Sequence, residues 1–330
     1  MNLTGLAGVV AAAAITIRCS RGVPPSRVID DPVLNCPSDL ELRAHGGQKP
    51  TGSFDSPVTA NGSPPITVAC TPASGTAFDN GVTVVTCVAT DSRAHKASCS
   101  FSVVVTPVPQ LTKTTFLAFG DSLTVGTTTL VFRGAIVADP PPVFNTSVSY
   151  VEQLYSRLVT RYQDQSITII ADGIGGRFTG DDKDREREVL DHWRPDALLL
   201  LEGTNDMLNF PDVPGINSAA EALQRMVRDA KARGVRVSLA TLPRINSHAP
   251  QPRNGTDLAA AEAAVQVLNE RIRSIAAAEN VTLVDLFAAI PDTVIGNDGV
   301  HLQASGYEIM ADEWLRAIVE TMEIKPLTLQ

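Results

Sequence analysis

Three residues of this chain have the types and the spacing that nucleophilic catalysis requires. Ser122 comes shortly after the apolar run 115–118, which predicts a buried strand. A serine hydroxyl is a poor nucleophile unless a base removes its proton, so a partner is needed elsewhere in the chain. Asp298 and His301, near the other end of the sequence, have the types of an orienting acid and a general base. Together they point to acyl transfer through a covalent intermediate.

Ser122 and Asp298 also have ordinary structural interpretations. A serine at a strand–helix junction is most often a helix N-cap. Asp298 lies in the stretch 296–299, which is rich in turn-forming residues, so it could shape a turn as well as orient His301. An unperturbed histidine has a pKa near ~6.5, which suits proton transfer around neutral pH.

Two further stretches of glycine and amide residues lie between the serine and the histidine. They are 173–176 (Gly-Ile-Gly-Gly) and 203–206 (Gly-Thr-Asn-Asp), and each follows an apolar run that predicts a strand. The first lacks the Gly-x-Gly-x-x-Gly spacing of a dinucleotide site. Asp121 and Asp206 resemble a carboxylate pair for glycoside chemistry, but capping and loop-bracing roles are the better interpretation for both.

These four stretches together resemble the blocks of the SGNH, or GDSL-type, hydrolase family. The family's blocks supply a serine, a glycine, an asparagine and a histidine in that chain order, which here are Ser122, Gly176, Asn205 and His301. The likeness covers roughly residues 113–323. It implies an esterase or lipase that needs no cofactor and no metal, with Ser122, Asp298 and His301 as the catalytic residues.

The same resemblance assigns an oxyanion hole. Its three donors would be the backbone N–H groups of Ser122 and Gly176 and the side-chain amide of Asn205, each contributing about 3–4 kcal/mol to the stability of a tetrahedral oxyanion. A glycine lets the backbone approach a substrate closely. Gly173 and Gly175 are rivals for that role, and Asn205 could instead be a turn or cap residue.

Strands and helices alternate from residue 113 onward, which is typical of an α/β domain. Five strand–helix units in series predict a doubly wound, flavodoxin-like, three-layer α/β/α sandwich. The loops that carry the four stretches would meet at one edge of its sheet. The capping-box pattern 218–221 predicts a helix start, and the acidic run 181–188 predicts the solvated face of another helix.

The first third of the chain has a different texture. Residues 33–106 contain short β-branched runs separated by turn residues, which predicts a small all-β sandwich. All five cysteines lie in the first hundred residues, and four fall in this stretch: Cys36, Cys70, Cys87 and Cys99. Their spacing is too wide for paired zinc ligands, so disulfides and an oxidising compartment are expected. Four cysteines allow three connectivities, and spacing does not choose between them.

Parts of this region resemble the hyalin-repeat (HYR) module, an immunoglobulin-like domain of extracellular proteins. The matching stretches are 35–37, 70–75, 81–91 and 97–101. The resemblance places the first and last cysteines on neighbouring terminal strands, which favours the pairs Cys36–Cys99 and Cys70–Cys87. It also suggests a partner at a surface or on a carbohydrate, and therefore a substrate that is surface-bound or polymeric.

The expected organisation has four parts. An export signal and linker occupy 1–32, the HYR-like sandwich 33–106, a second linker 107–112, and the hydrolase domain 113–330. The apolar run 6–17 has the length of a signal-peptide core, although its first positive charge follows the run, and a buried or frayed terminal helix is the alternative. The expected disulfides and export signal predict a secreted or extracytoplasmic protein. No other segment has the length and hydropathy of a transmembrane helix.

Composition narrows the partners further. The 330 residues carry a formal net charge of −9, with 44% hydrophobic and 19% charged residues. This balance supplies ample core but no basic stripe for nucleic acid. The sequence also contains no metal-ligand cluster and no phosphate-binding loop.

The sequence therefore predicts a secreted serine esterase that hydrolyses carboxylic esters through an acyl-enzyme intermediate. One alternative is a carbohydrate O-acetylesterase. An alternative from another class is an extracellular binding or adhesion protein that keeps the hydrolase domain as a scaffold. The loop 127–148 is expected to border the acyl pocket.

Overall fold

The computed structural model describes residues 31–126, 149–251 and 255–325. The described residues form two compact units divided between Thr106 and Pro107, except that Arg43–Gln48 group with the second unit. The expected export signal, most of the first linker and the loop 127–148 lie outside the described residues.

The first unit is built from antiparallel strands. A four-stranded sheet has the order β2-β8-β7-β5, and two-stranded sheets pair β1 with β4 and β3 with β6. The strands are β1 (Val33–Asn35), β2 (Leu40–Ala44), β3 (Thr51–Gly52), β4 (Val58–Ala60), β5 (Thr67–Thr71), β6 (Thr76–Ala77), β7 (Gly81–Thr90) and β8 (Lys96–Pro107).

Alternation along β7 and β8 creates the core of this unit. Alternate residues are buried over 85–89 of β7 and 101–105 of β8, because successive side chains point to opposite faces of a sheet. The buried set consists of Val85, Cys87, Ala89, Phe101, Val103 and Val105. The ring of Phe54 packs edge-on against Phe101 with 4.9 Å between centroids. The predicted all-β, immunoglobulin-like sandwich is confirmed as a strand-rich unit.

Two disulfides connect the strands of this unit. They join Cys36 to Cys99 and Cys70 to Cys87, the pairing that the HYR resemblance favours. The second bond links direct cross-strand neighbours of β5 and β7. For so small a core, such cross-links add stability mainly by restricting the unfolded chain.

The second unit contains a five-stranded parallel sheet of order β10-β9-β11-β12-β13. In chain order this is 2-1-3-4-5, the arrangement of flavodoxin-like doubly wound folds. Its strands are β9 (Thr115–Gly120), β10 (Thr168–Gly173), β11 (Ala197–Leu201), β12 (Arg236–Ala240) and β13 (Thr282–Val284). All five residues of β11 are buried, as expected for the centre of a sheet covered on both faces.

Helices cover both faces of the sheet. Helix α2 packs against α8, while α3 packs against α5 and α5 against α6. The helices are α1 (Ser122–Val125), α2 (Tyr150–Arg161), α3 (Thr179–Trp193), α4 (Thr204–Asn209), α5 (Val213–Ala232), α6 (Leu258–Glu279), α7 (Leu286–Ala289) and α8 (Ala304–Met322), with a 3₁₀ turn at Asp292–Val294. The predicted three-layer α/β/α sandwich is confirmed. None of the helices in the described residues combines the length and hydropathy that crossing a bilayer requires.

The register of the three central strands sets the level of the loops that follow them. Gly120 of β9 pairs with Gly173 of β10 on one side and with Leu201 of β11 on the other. A Cβ at Gly120 would lie 2.0 Å from the carbonyl oxygen of Leu201, so only glycine allows this approach. The three loops therefore leave the sheet side by side.

Two details of the sequence-based prediction are wrong. Helix α5 begins at Val213, one residue after its N-cap Asp212, whose side chain accepts from the N–H of Gly215. Ser218 lies inside this helix, because Asp212 followed by Pro214 forms a stronger start signal than the capping-box pattern.

The acidic run 181–188 is also not a uniformly solvated face. Asp182 and Glu186 are fully buried, whereas Asp181 and Glu188 are exposed. The periodicity of the helix turns residues 182 and 186 toward the protein, and α3 packs on α5 there. Both carboxylate oxygens of Glu186 lack a hydrogen-bond partner among the described residues. Burial raises the pKa of Glu186 to about 8.

This buried carboxyl predicts a pH-dependent stability. Because the folded-state pKa of Glu186 lies above its unfolded value, the unfolded chain releases this proton at lower pH, and stability falls as pH rises toward about 8. We expect Glu186→Gln to raise Tm at pH 9 by about 3 °C or more beyond any gain at pH 5. Thermal unfolding by circular dichroism at both values measures it.

Glu188→Gln is the matched control, since this residue of the same helix is exposed. Its Tm should differ little from that of the parent at either pH. An equal gain for Glu186→Gln at pH 5 and pH 9 would contradict the assignment of the pH dependence to this carboxyl.

Candidate active site

Ser122 stands at the carboxyl edge of the parallel sheet. It is the first residue of α1, the single helical turn that follows β9. Asp121 is the N-cap of this turn, and its Oδ1 accepts from the N–H of Leu123 at 2.8 Å. The capping role predicted for Asp121 is therefore confirmed, and the serine itself is not the cap. Ser122 is partly exposed, so a substrate can reach its hydroxyl.

A chain of two hydrogen bonds connects Ser122 to an acid. The Oγ of Ser122 lies 3.0 Å from Nε2 of His301. The Nδ1 of the same ring lies 2.5 Å from Oδ2 of Asp298. With Nδ1 protonated and donating to the carboxylate, Nε2 carries the lone pair that faces the serine hydroxyl. This is the relation of nucleophile, base and orienting acid.

The local fold of residues 296–301 holds the acid and the base together. Oδ1 of Asp298 accepts from the backbone N–H groups of Val300 and His301, both at 3.0 Å. Asp298 is therefore both a turn residue and the partner of the histidine. Burial alone would raise its pKa, but the hydrogen bonds from His301 and the backbone outweigh it and hold the pKa of Asp298 below its usual value. The carboxylate consequently stays charged through the neutral range.

Gly176 belongs to the tight turn after β10. Its φ of +80° lies in the left-handed region, and a Cβ there would meet nothing within 4 Å, so the backbone faces open space. Its neighbour Gly175 is close to Ser122, since a Cβ there would lie 3.5 Å from that of Ser122. Gly173 is the last residue of β10 and has no room for a side chain beside α1. The turn therefore passes close to Ser122 at Gly175.

Asn205 enters the site from the neighbouring loop. It lies in the first turn of α4 and is 4% exposed. Its Nδ2 donates to Oδ2 of Asp121 at 3.3 Å. Asp206, the next residue, accepts from the N–H of Thr179 at 3.0 Å and from its hydroxyl at 2.8 Å. The loop-bracing role predicted for Asp206 is thus confirmed.

The two aspartates join all three loops. Asp121 is adjacent to Ser122 and binds Asn205, while Asp206 is adjacent to Asn205 and binds Thr179 at the start of α3. The structure therefore brings Asn205 close to the residue before Ser122, and His301 reaches Ser122 from the loop before α8. The role of Gly176 stays a prediction.

Sequence reasoning missed the charged groups beneath these loops. Glu202 is 1% exposed, neither of its oxygens has a hydrogen-bond partner among the described residues, and burial raises its pKa well above the usual value. Burial also raises the pKa of Asp121 and of Asp182 to about 6. In the sequence, the feature that could have indicated these buried carboxyl groups is the glutamate directly after the apolar run 197–201.

Arg185 is a cation within this buried region. It forms ion pairs with Asp172 and, at 2.7 Å, with Asp182. Its guanidinium also lies 4.0 Å from the ring centroid of Phe119, in the strand that leads to the nucleophile. The residue lies within the run that the sequence suggested was solvated, which is why its role was not predicted.

The arrangement contains a serine hydroxyl, an imidazole and a carboxylate in one hydrogen-bonded series, with the amide of Asn205 on a neighbouring loop. Within the described residues no group of three or more His, Cys, Asp or Glu side chains is placed to hold a metal ion. The side chains present are those of acyl transfer by covalent catalysis.

Comparisons with known proteins agree with this description. The model of the GDSL-like lipase/acylhydrolase family matches residues 118–309, and the HYR domain model matches residues 29–105. A multidomain esterase of Ruminococcus flavefaciens is 27% identical over 161 residues, which are 48% of this chain and 20% of the relative. The chain thus spans about one fifth of that relative's length.

Solved structures share the fold of the second unit. Axe2, an acetylxylan esterase from Geobacillus stearothermophilus, superposes with a TM-score of 0.50 at 22% identity over 63% of this chain and 94% of that one. LAE5, an alpha/beta hydrolase enzyme from the metagenome of Lake Arreo, Spain, gives a TM-score of 0.51 at 19% identity over 63% and 95%. At these identities the likeness concerns the fold.

The family match spans more than half of the chain and includes all four residues that the block resemblance selects: Ser122, Gly176, Asn205 and His301. The chain belongs to the GDSL-like lipase/acylhydrolase family.

Proposed function

We propose that this chain is a serine esterase that hydrolyses carboxylic esters through an acyl-enzyme on Ser122. The observation that carries the proposal is the hydrogen-bonded series Asp298–His301–Ser122, with separations of 2.5 Å and 3.0 Å. Family membership supports the same chemistry.

In the first half of the reaction, Oγ of Ser122 attacks the ester carbonyl carbon as its proton moves to Nε2 of His301. The charge of Asp298 stabilises the resulting imidazolium. The tetrahedral intermediate then collapses, and the leaving alcohol takes the proton from Nε2. The product is an ester between the acyl group and Ser122.

The second half repeats these steps with water as the nucleophile. His301 takes a proton from water as the water attacks the acyl carbon, and then returns that proton to Oγ of Ser122. The carboxylic acid is released and the enzyme is restored. Every proton passes through Nε2 of His301, which ends the cycle in the protonation state in which it began.

Both tetrahedral intermediates carry an oxyanion, for which we propose three donors. They are the backbone N–H groups of Ser122 and Gly176 and the side-chain amide of Asn205. The open space beside Gly176 and the burial of Asn205 support this assignment, because donors fixed in a site of low polarity stabilise charge more than donors in water.

We infer that the enzyme works outside the cytoplasm. The two disulfides of the first unit persist in an oxidising compartment, and the HYR match accords with an extracellular setting. In this proposal the HYR-like unit binds a surface or a carbohydrate and brings the catalytic unit to an ester attached there.

A carbohydrate O-acetylesterase is the more specific candidate. The acetylxylan esterase among the structural neighbours favours it. Under this candidate the acyl group is acetate and the leaving group is a sugar hydroxyl.

The proposed role of Ser122 as the nucleophile is tested by removing its hydroxyl oxygen. We expect Ser122→Ala to lower the rate of p-nitrophenyl acetate hydrolysis by at least about 10³-fold, because the covalent intermediate cannot form. Release of p-nitrophenol is followed by absorbance. Ser156→Ala, at an exposed position of α2, is the matched control and should keep the parent rate. Equal, near-background rates in parent and Ser122→Ala would favour the binding-protein alternative.

The orienting acid is tested by Asp298→Asn. The amide cannot stabilise an imidazolium and favours the wrong tautomer of His301, so kcat should fall about 10²- to 10⁴-fold with little change in KM. Steady-state kinetics on the same ester measure this. Asp292→Asn is the control, since that carboxylate lies on the exposed side of the same segment. A kcat within threefold of the parent would exclude Asp298 as the triad acid.

Substrate class is tested with a series of esters. If the carbohydrate candidate is right, kcat/KM should fall at least about tenfold from p-nitrophenyl acetate to the octanoate, and acetate should be released from acetylated xylan. A rate that rises with acyl length, with no acetate released from the polymer, would instead indicate a lipase.

A further inference from the structure

The bond between Asp121 and Asn205 has a direction that the chemistry of the two groups imposes. An ionised carboxylate only accepts hydrogen bonds, whereas a side-chain amide has a donor end and an acceptor end. Oδ2 of Asp121 therefore binds the NH₂ group of Asn205 and repels its carbonyl oxygen. Asp121 is 0% exposed, so water cannot compete with Asn205 for this carboxylate oxygen.

The other carboxylate oxygen is also occupied. Oδ1 accepts from the N–H of Leu123 at 2.8 Å, which fixes the rotation of the carboxylate. The NH₂ group of Asn205 has two hydrogens, and one is used by Asp121. Among the described residues no other acceptor is hydrogen-bonded to this nitrogen. The second hydrogen is thus available to a bound oxyanion.

We propose that Asp121 is a positioning residue that fixes the amide of Asn205 with its N–H end, and not its oxygen, toward the oxyanion hole. This inference rests on the proposed esterase function and deepens it. Asn205 would be the catalytic donor, and Asp121 would act only through it.

The isosteric variant Asp121→Asn makes the proposal sharp. The N–H of Leu123 requires an oxygen opposite it, so the new amide must turn its NH₂ group toward Asn205. Two NH₂ groups cannot hydrogen-bond face to face, and Asn205 must therefore rotate its amide by half a turn. Its carbonyl oxygen would then face the developing oxyanion and repel it.

We expect Asp121→Asn to lower kcat for p-nitrophenyl acetate at least about 100-fold at pH 8, with KM within threefold, because an oxyanion donor acts mainly in the transition state. Asn205→Ala should show a similar loss. In the Asn205→Ala background, Asp121→Asn should lower kcat by less than a further threefold. Full additivity of the two losses, or a parent-like kcat for Asp121→Asn, would overturn the proposal.

The exchanged pair Asp121→Asn with Asn205→Asp separates positioning from folding. It restores a hydrogen bond of reversed direction and keeps the net charge, but no N–H at residue 205 faces the hole. We expect its Tm to lie nearer to that of the parent than the Tm of Asp121→Asn does, while kcat stays at least about 100-fold lower. Recovery of kcat together with Tm would mean that Asp121 only supports the fold and would overturn the proposal.

The outcome is distinguishable from failure of the proposed function. If the parent and Ser122→Ala are equally inactive, the esterase assignment itself fails. If the parent is active, Ser122→Ala is inactive and Asp121→Asn keeps its kcat, only the positioning role fails.

Discussion

The site depends on the register of the three central strands of the parallel sheet. The three strands end at the same level of the sheet, at Gly120, Gly173 and Leu201. The missing side chain of Gly120 allows the close approach of β9 and β11. A shift of one residue would turn each following side chain to the opposite face. Nucleophile, glycine turn and amide would then no longer meet. The precision of the site thus begins with backbone pairing and is completed by the side chains.

The second unit also contains buried carboxylates, and their desolvation lowers its stability. Asp121 and Asp206 each exchange hydration for hydrogen bonds to a neighbouring loop, which compensates only part of their desolvation, because burial still raises the pKa of both. Glu202 and Glu186 have no such bonds among the described residues, and their raised pKa values reflect this. Arg185 partly offsets the excess of negative charge. Raised pKa values such as those of Asp121 and Glu202 are common near functional sites, where burial and neighbouring charges perturb titration.

The sequence was informative wherever a residue type and a strand end coincided. Ser122, Gly176, Asn205 and His301 could be selected because each follows an apolar run or lies in a loop before a helix, and because their order matches known blocks. The pairing of Cys36 with Cys99 likewise followed from the HYR resemblance. Two kinds of feature could not be predicted: the rotation of a helix about its axis and contacts between distant loops. A sequence of alternating charges does not show that residues 182 and 186 turn inward, and neither does it show that Asp121 contacts a residue 84 positions away. Such contacts arise only when the sheet has been assembled.

The distance in sequence between the two halves of the site has a consequence for folding. Asp298 and His301 are joined by a turn of a few residues, so this pair can form locally as soon as its loop closes. Ser122 is separated from His301 by 179 residues and meets it only when the first strand of the sheet and the loop before the last helix are both in place. Turnover of the enzyme would therefore report on the integrity of the entire second unit. A molecule that has lost its final helix could keep the local hydrogen bond between Asp298 and His301 but would lose the contact between His301 and Ser122.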